Sequence, residues 1–167
     1  MLNWLWISLF IVAADQVSKQ LAESAIQLYE RVALLPHLNL TLTYNRGAAF
    51  SFLSEQSGWQ RWFFSVLAVV VTLVLVIWLK QLDRTSRWTA MSLSLIIGGA
   101  VGNLIDRLLF GHVIDFIDLY YGQWHWPAFN VADSAITVGV GLFLLGSFLC
   151  PVASDSSGKV EGCAGAK

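Results

Sequence analysis

Three apolar stretches dominate the chain. Trp62 to Leu79 is a run of 18 residues without a charge, Trp88 to Ile105 is another of 18, and Ser134 to Cys150 is one of 17. A helix crossing a hydrocarbon core needs about 20 mostly apolar residues, so each run predicts a transmembrane helix. The N-terminal segment is less uniform: Leu2 to Ala14 is apolar, then Asp15 and Lys19 interrupt before Leu21 and Ala22. A cleavable leader is the rival reading. No Lys or Arg precedes the apolar core, however, and small residues at a cleavage site are poorly placed. Asp15 and Lys19 stand four residues apart and can pair on one helix face. A retained first span is the expectation, giving an all-α membrane protein of four transmembrane helices. Between the spans, Leu38 to Thr43 alternates Leu with Asn or Thr, which predicts a half-buried strand and hence a small extracytoplasmic β element.

Composition agrees with a bilayer as solvent. Hydrophobic residues make up 56% of the chain and charged residues 13%, about half the usual charged share, and the mean hydropathy is +0.63. A net charge of −1 and the lack of a basic tract give no reason to expect nucleic acid. Lys80, Arg84 and Arg87 crowd the link after the second span. Short basic links face the cytoplasm, so both termini are expected inside, with residues 23–61 and 106–133 outside. Residues 1–150 then form one membrane domain, and the Gly/Ser-rich 151–167 a disordered cytoplasmic tail. Gly98 and Gly102 carry small-residue spacing for close helix packing. The cysteines, Cys150 and Cys163, show no metal-ligand spacing, so neither metal nor cofactor is expected.

Polar residues at a membrane border are costly and therefore informative. Asp15 and Lys19 are either a structural pair or a support for a site. Asn103, Asp106 and Arg107 can share one face at the end of the third span; an interfacial Arg with a carboxylate partner explains the last two but not Asn103. Asn130 and Asp133 suit the N-cap and third position of the fourth helix. Asp115, flanked by Val113, Ile114, Phe116 and Ile117, needs a partner. A dyad of Asp115 and Asp133 would share one proton, one acid activating water while the other protonates a carbonyl oxygen. His112 reads as a local hydrogen-bonding residue.

These residues fall in blocks: Asp15 with Lys19; Tyr44-Asn-Arg-Gly-Ala-Ala-Phe50; Gly98 through Arg107; Val113-Ile-Asp-Phe-Ile-Asp118; and Phe129-Asn-Val-Ala-Asp-Ser134. In that order, over about residues 4–148, the chain resembles the lipoprotein (type II) signal peptidases. The resemblance implies an aspartic endopeptidase that removes the signal peptide of a bacterial prolipoprotein, cutting before a diacylglyceryl-modified cysteine. It implies Asp115 and Asp133 as the catalytic pair, with Asp118 outside it. Asn45, Gly47, Asn103, Arg107 and Asn130 would bind substrate or hold the dyad, and Asp15 and Lys19 would support it. It further implies inhibition by globomycin, membrane lipid as a partner, and a chain that suffices as a monomer. The Gly47-Ala48-Ala49 stretch is expected to let a peptide backbone approach, and the aromatic segment Tyr120 to Trp126 to act as a lid. A small ion or solute carrier is the alternative from another class, and a structural subunit a third. A carrier predicts polar residues staggered through the bilayer, whereas these gather at one end.

Overall fold

The computed structural model describes residues 1–47 and 58–149. Ala48, Ala49 and Phe50, along with Cys150 and the tail beyond it, lie outside the described residues. Four long helices, α1 (Leu5–Ala25), α2 (Trp59–Gln81), α3 (Arg87–Leu109) and α4 (Val131–Leu149), form a bundle with α3 at its centre, packed on the other three. Helices α2, α3 and α4 are long and apolar enough to cross a membrane. Helix α1 has 21 residues and carries Asp15, Lys19 and Glu23.

The burial pattern is the reverse of a soluble protein's. On α1 the buried residues are Ser8, Asp15, Lys19 and Ala22, a single stripe at helical spacing, while Trp6, Leu9, Phe10, Val17 and Leu21 are exposed. Packing of this kind, with polar residues inward and apolar ones outward, suits surroundings without hydrogen-bonding capacity. Missing side chains let the helices meet. A Cβ on Gly98 would lie 2.9 Å from Ile11 Cβ of α1, and one on Gly99 would overlap the Ala132 carbonyl oxygen of α4. A Cβ on Gly102 would lie 2.7 Å from Asp15 Oδ2. The small-residue face expected on the third span thus serves two neighbours at once.

The β element is larger than expected: an antiparallel sheet in the order β1 (Arg31–Leu35), β2 (Leu38–Asn45), β3 (Val113–Tyr121), β4 (Trp124–His125). The predicted strand is present but runs on to Asn45. From Leu40 to Thr43, β2 takes one step more than β3 takes from Ile117 to Asp115, so it carries a bulge. The bulge breaks the simple alternation. Leu42 joins Ala22, Ile26, Ile114 and Phe116 in a core cluster, while Asn39 and Thr41, expected to face outward, are also buried. At the end of α3, Gly111 has φ +79° and its N–H reaches Arg107 O at 3.2 Å. A left-handed glycine past the last turn closes the helix and sends the chain back as β3 beside the end of α3.

Candidate active site

The polar residues of α1, α3, β2, β3 and α4 meet where the sheet adjoins the helix ends. Helix α4 begins with a reciprocal cap: Asp133 N–H donates to Asn130 Oδ1 at 2.9 Å, and Asn130 N–H to Asp133 Oδ2 at 3.3 Å. Asn130 is fully buried, and its amide nitrogen donates to Asp115 Oδ1 at 2.7 Å, Asn103 Oδ1 at 3.2 Å and the Ile114 carbonyl at 3.2 Å. Asn103 in turn donates to Asp133 Oδ1 at 2.7 Å. Asn45, at the end of β2, donates to Asp115 Oδ2 at 3.1 Å, and its own oxygen is held by Gly47 N–H at 2.9 Å. Two asparagines therefore tie the two aspartates into one network.

Behind this lies a buried charge cluster. Lys19 Nζ donates to Asp15 Oδ2 at 2.7 Å and to Asn103 Oδ1 at 3.0 Å, and lies 2.8 Å from Asp106 Oδ2. Because an ammonium has no acceptor, Lys19 fixes the oxygen end of Asn103 toward itself and the nitrogen end toward Asp133. Asp15 Oδ1 also accepts Ala132 N–H at 2.9 Å, a second carboxylate on the first turn of α4. Asp106 is thus the partner of Lys19 rather than of Arg107. Arg107 donates to Asn103 O at 3.2 Å, lies over the Phe64 ring at 5.4 Å and senses the charges of Asp133, Asp115 and Asp106. Gln16, which sequence reasoning passed over, bonds Asp106 Oδ1 at 2.8 Å and the Gly102 carbonyl at 3.2 Å.

Burial pushes the Asp115 carboxyl up to about 7, and the neighbouring Asp133 charge adds to this, against the hydrogen bonds from Asn45 and Asn130 and the more distant Lys19 charge. Asp118 lies three residues along β3 and so on the opposite face. It is buried, which raises its pKa, but bonds from Asn39 at 3.0 Å and His125 at 2.9 Å, with the charge of Arg31, hold it below the ordinary carboxylate value. His112 Nε2 is buried with no hydrogen-bond partner among the described residues, and its ring packs on Tyr44 at 4.2 Å. At Gly47 the space a Cβ would fill belongs to Phe64, 2.7 Å away, and φ is +102°. The left-handed backbone by itself favours glycine there. A cavity of about 450 Å³ opens beside Asp133, walled by Phe129, Thr137, Val138, Leu119 and Trp126. Among the described residues no cluster of three His, Cys, Asp or Glu could hold a metal ion.

The family model for signal peptidase (SPase) II matches residues 7–149. The chain belongs to the signal peptidase II family. It is 54% identical over 149 residues to the lipoprotein signal peptidase of Pseudomonas syringae pv. tomato, covering 88% of this chain and 86% of that one. It is 50% identical over 150 residues to that of Photorhabdus laumondii, covering 90% of each. Among solved structures, a bacterial membrane enzyme determined by the in meso method at 2.3 Å aligns with a TM-score of 0.80 at 31% identity over 96% of both chains. A second such structure, at 1.9 Å, gives 0.77 at 33% identity over 87% of this chain and 92% of that one. Membership of a signal peptidase family makes the chain a peptidase, and the motif blocks read from the sequence fall inside the matched region.

Proposed function

We propose that the chain is an aspartic endopeptidase of a bacterial inner membrane. It removes the signal peptide from diacylglyceryl-modified prolipoproteins by cutting before the lipidated cysteine. In this reading α1 is the fourth span, both termini are cytoplasmic, and one chain supplies every group. The dyad sits at the outer border of the membrane, and globomycin-type inhibitors occupy the substrate groove.

The observation that carries this reading is the linkage of Asp115 to Asp133 through Asn130 and Asn103, with the Asp115 carboxyl raised to about 7 beside the Asp133 charge. Below about pH 7 the Asp115 carboxyl then keeps its proton, and near neutrality a large fraction of molecules still carry it. Asp133, ionised at the start of α4, draws a proton from a water, which attacks the scissile carbonyl. Asp115 gives its proton to the carbonyl oxygen. Collapse of the tetrahedral adduct returns a proton from Asp133 to the leaving amine and restores Asp115. Each such transfer contributes about 10²- to 10⁴-fold. The cavity beside Asp133, apolar apart from Asp133, Ser134 and Thr137, suits a substrate that is apolar on one side of its scissile bond and lipidated on the other.

Cleavage of a lipidated precursor by Asp115→Asn, Asp133→Asn and Asp118→Asn variants tests the assignment. The first two should lose activity while remaining folded, and the third should keep a substantial part. Full activity in either of the first two overturns it.

A further inference from the structure

The outer edge of β3, on the side away from β2, is closed in three different ways. Near its end, Tyr120 and Tyr121 pair with β4. In the middle, the N–H groups of Phe116 and Ile117 share the Phe129 carbonyl at 3.1 and 2.8 Å, and Phe129 N–H returns to Ile117 O at 3.1 Å. At Ile114 two side chains take the place of a strand. Ile114 N–H donates to Asp106 Oδ2 at 3.2 Å, and Ile114 O accepts from Asn130 Nδ2 at 3.2 Å. Ile114 immediately precedes Asp115. The backbone that carries Asp115 is therefore bolted to α3 by Asp106 and to α4 by Asn130.

We infer that Asp106, braced by Gln16, is a positioning residue for the peptidase reaction: it clamps the edge of β3 at Ile114 and so sets where the Asp115 carboxyl stands relative to Asp133. This deepens the aspartic-dyad reading and rests on it. Asp106 is 1% exposed, and all of its described bonds are structural: Oδ2 to Lys19 at 2.8 Å and to Ile114 N–H, Oδ1 to Gln16 at 2.8 Å. Gln16 Nε2 also bonds the Gly102 carbonyl, so it ties α1 to the same turn of α3. A simple ion pair with Lys19 would need neither the Ile114 bond nor Gln16. The clamp is also directional. A carboxylate oxygen can receive the Ile114 N–H, an amide oxygen can replace it, and a methyl group cannot. Displacing a reacting group by about 1 Å costs on the order of 100-fold in rate, so the effect belongs in turnover rather than in substrate affinity.

The test compares Asp106→Leu, Asp106→Asn and Gln16→Leu in the full chain, reading kcat, KM and amide exchange over residues 113–116. Asp106→Leu should lower kcat about 30-fold or more, with KM within about twofold, and should speed exchange at Ile114. Asp106→Asn keeps an acceptor for Ile114 and leaves Lys19 balanced by Asp15, but its amide nitrogen faces Gln16 Nε2 in place of Oδ1, so it should fold with Ile114 still protected and recover to within about tenfold of the parent, the loss set for Gln16→Leu. Gln16→Leu, which strands no buried charge, should lower kcat about three- to tenfold. If Asp106→Leu does not fold, the other two variants decide. Asp106→Asn with poor kcat despite a protected Ile114, or Gln16→Leu with the parent's kcat, overturns the clamp. Failure of the clamp is distinguishable from failure of the dyad, because an inactive Asp115→Asn alongside a fully active Gln16→Leu sinks the clamp alone.

Discussion

Replacing Asp115 by Asn should stabilise the protein at high pH while abolishing cleavage. The Asp115 carboxyl is raised from 3.8 to about 7, so the folded state holds its proton across a range in which the unfolded chain has lost it. Stability therefore falls as pH rises from about 4 to about 7 and is flat above. A difference of about three pH units at about 1.4 kcal/mol each makes the full penalty about 4 kcal/mol. Between pH 4.5 and pH 8 about 3 kcal/mol of it develops. An asparagine has no charge to bury, so it escapes this term. It introduces another: its amide nitrogen faces the Asn45 nitrogen that now donates to Asp115 Oδ2. That mismatch costs about 1–3 kcal/mol but does not depend on pH. The decisive quantity is thus the change with pH in the Tm difference between variant and parent. In detergent it should move by about 6–12 °C in the variant's favour between pH 4.5 and pH 8, at about 2–4 °C per kcal/mol for a chain of this size. A Tm difference that stays constant across that range, or moves the other way, refutes the buried, proton-bearing Asp115.

Three further outcomes follow from the same geometry. The rate constant kcat/KM should fall about tenfold per pH unit above about 7, as Asp115 loses its proton; a profile flat to pH 9 would contradict this. Lys19→Met leaves Asp15 and Asp106 buried without their cation and should cost about 3–5 kcal/mol, read as a lowered Tm at pH 8; an unchanged Tm would contradict the buried cluster. Gly99→Ala drives a methyl group against the Ala132 carbonyl in the first turn of α4, and should cost about 1–3 kcal/mol. Because Asp133 adjoins Ala132, cleavage should fall by more than the loss of folded protein explains, which activity per folded molecule would measure.

Much of this was legible in the chain because it is local. A run of 18 apolar residues predicts a span whatever surrounds it, and α2 and α3 contain the runs read from the sequence. The cap of α4 was equally readable, since Asn130 and Asp133 lie one helical turn apart and bond each other. The alternation in β2 was visible too, although its bulge was not, because a bulge depends on the register against β3.

Partner choice was not legible, for a physical reason. Asp106 lies beside Arg107 in sequence, yet pairs with Lys19 of α1, 87 residues away, because the glycine face of α3 lets α1 come close. Asn39 looked like the outward half of a strand and is buried because it meets Asp118. Gln16 carries no pattern at all until α3 supplies Asp106 and Gly102. Hydrophobic periodicity and capping are properties of a few neighbouring residues, so the sequence alone determined the spans, the start of α4 and the chemical types available. Only the packed bundle decided which carboxylate meets which cation, and which side chain closes the edge of β3, since those depend on helix faces brought together from distant parts of the chain.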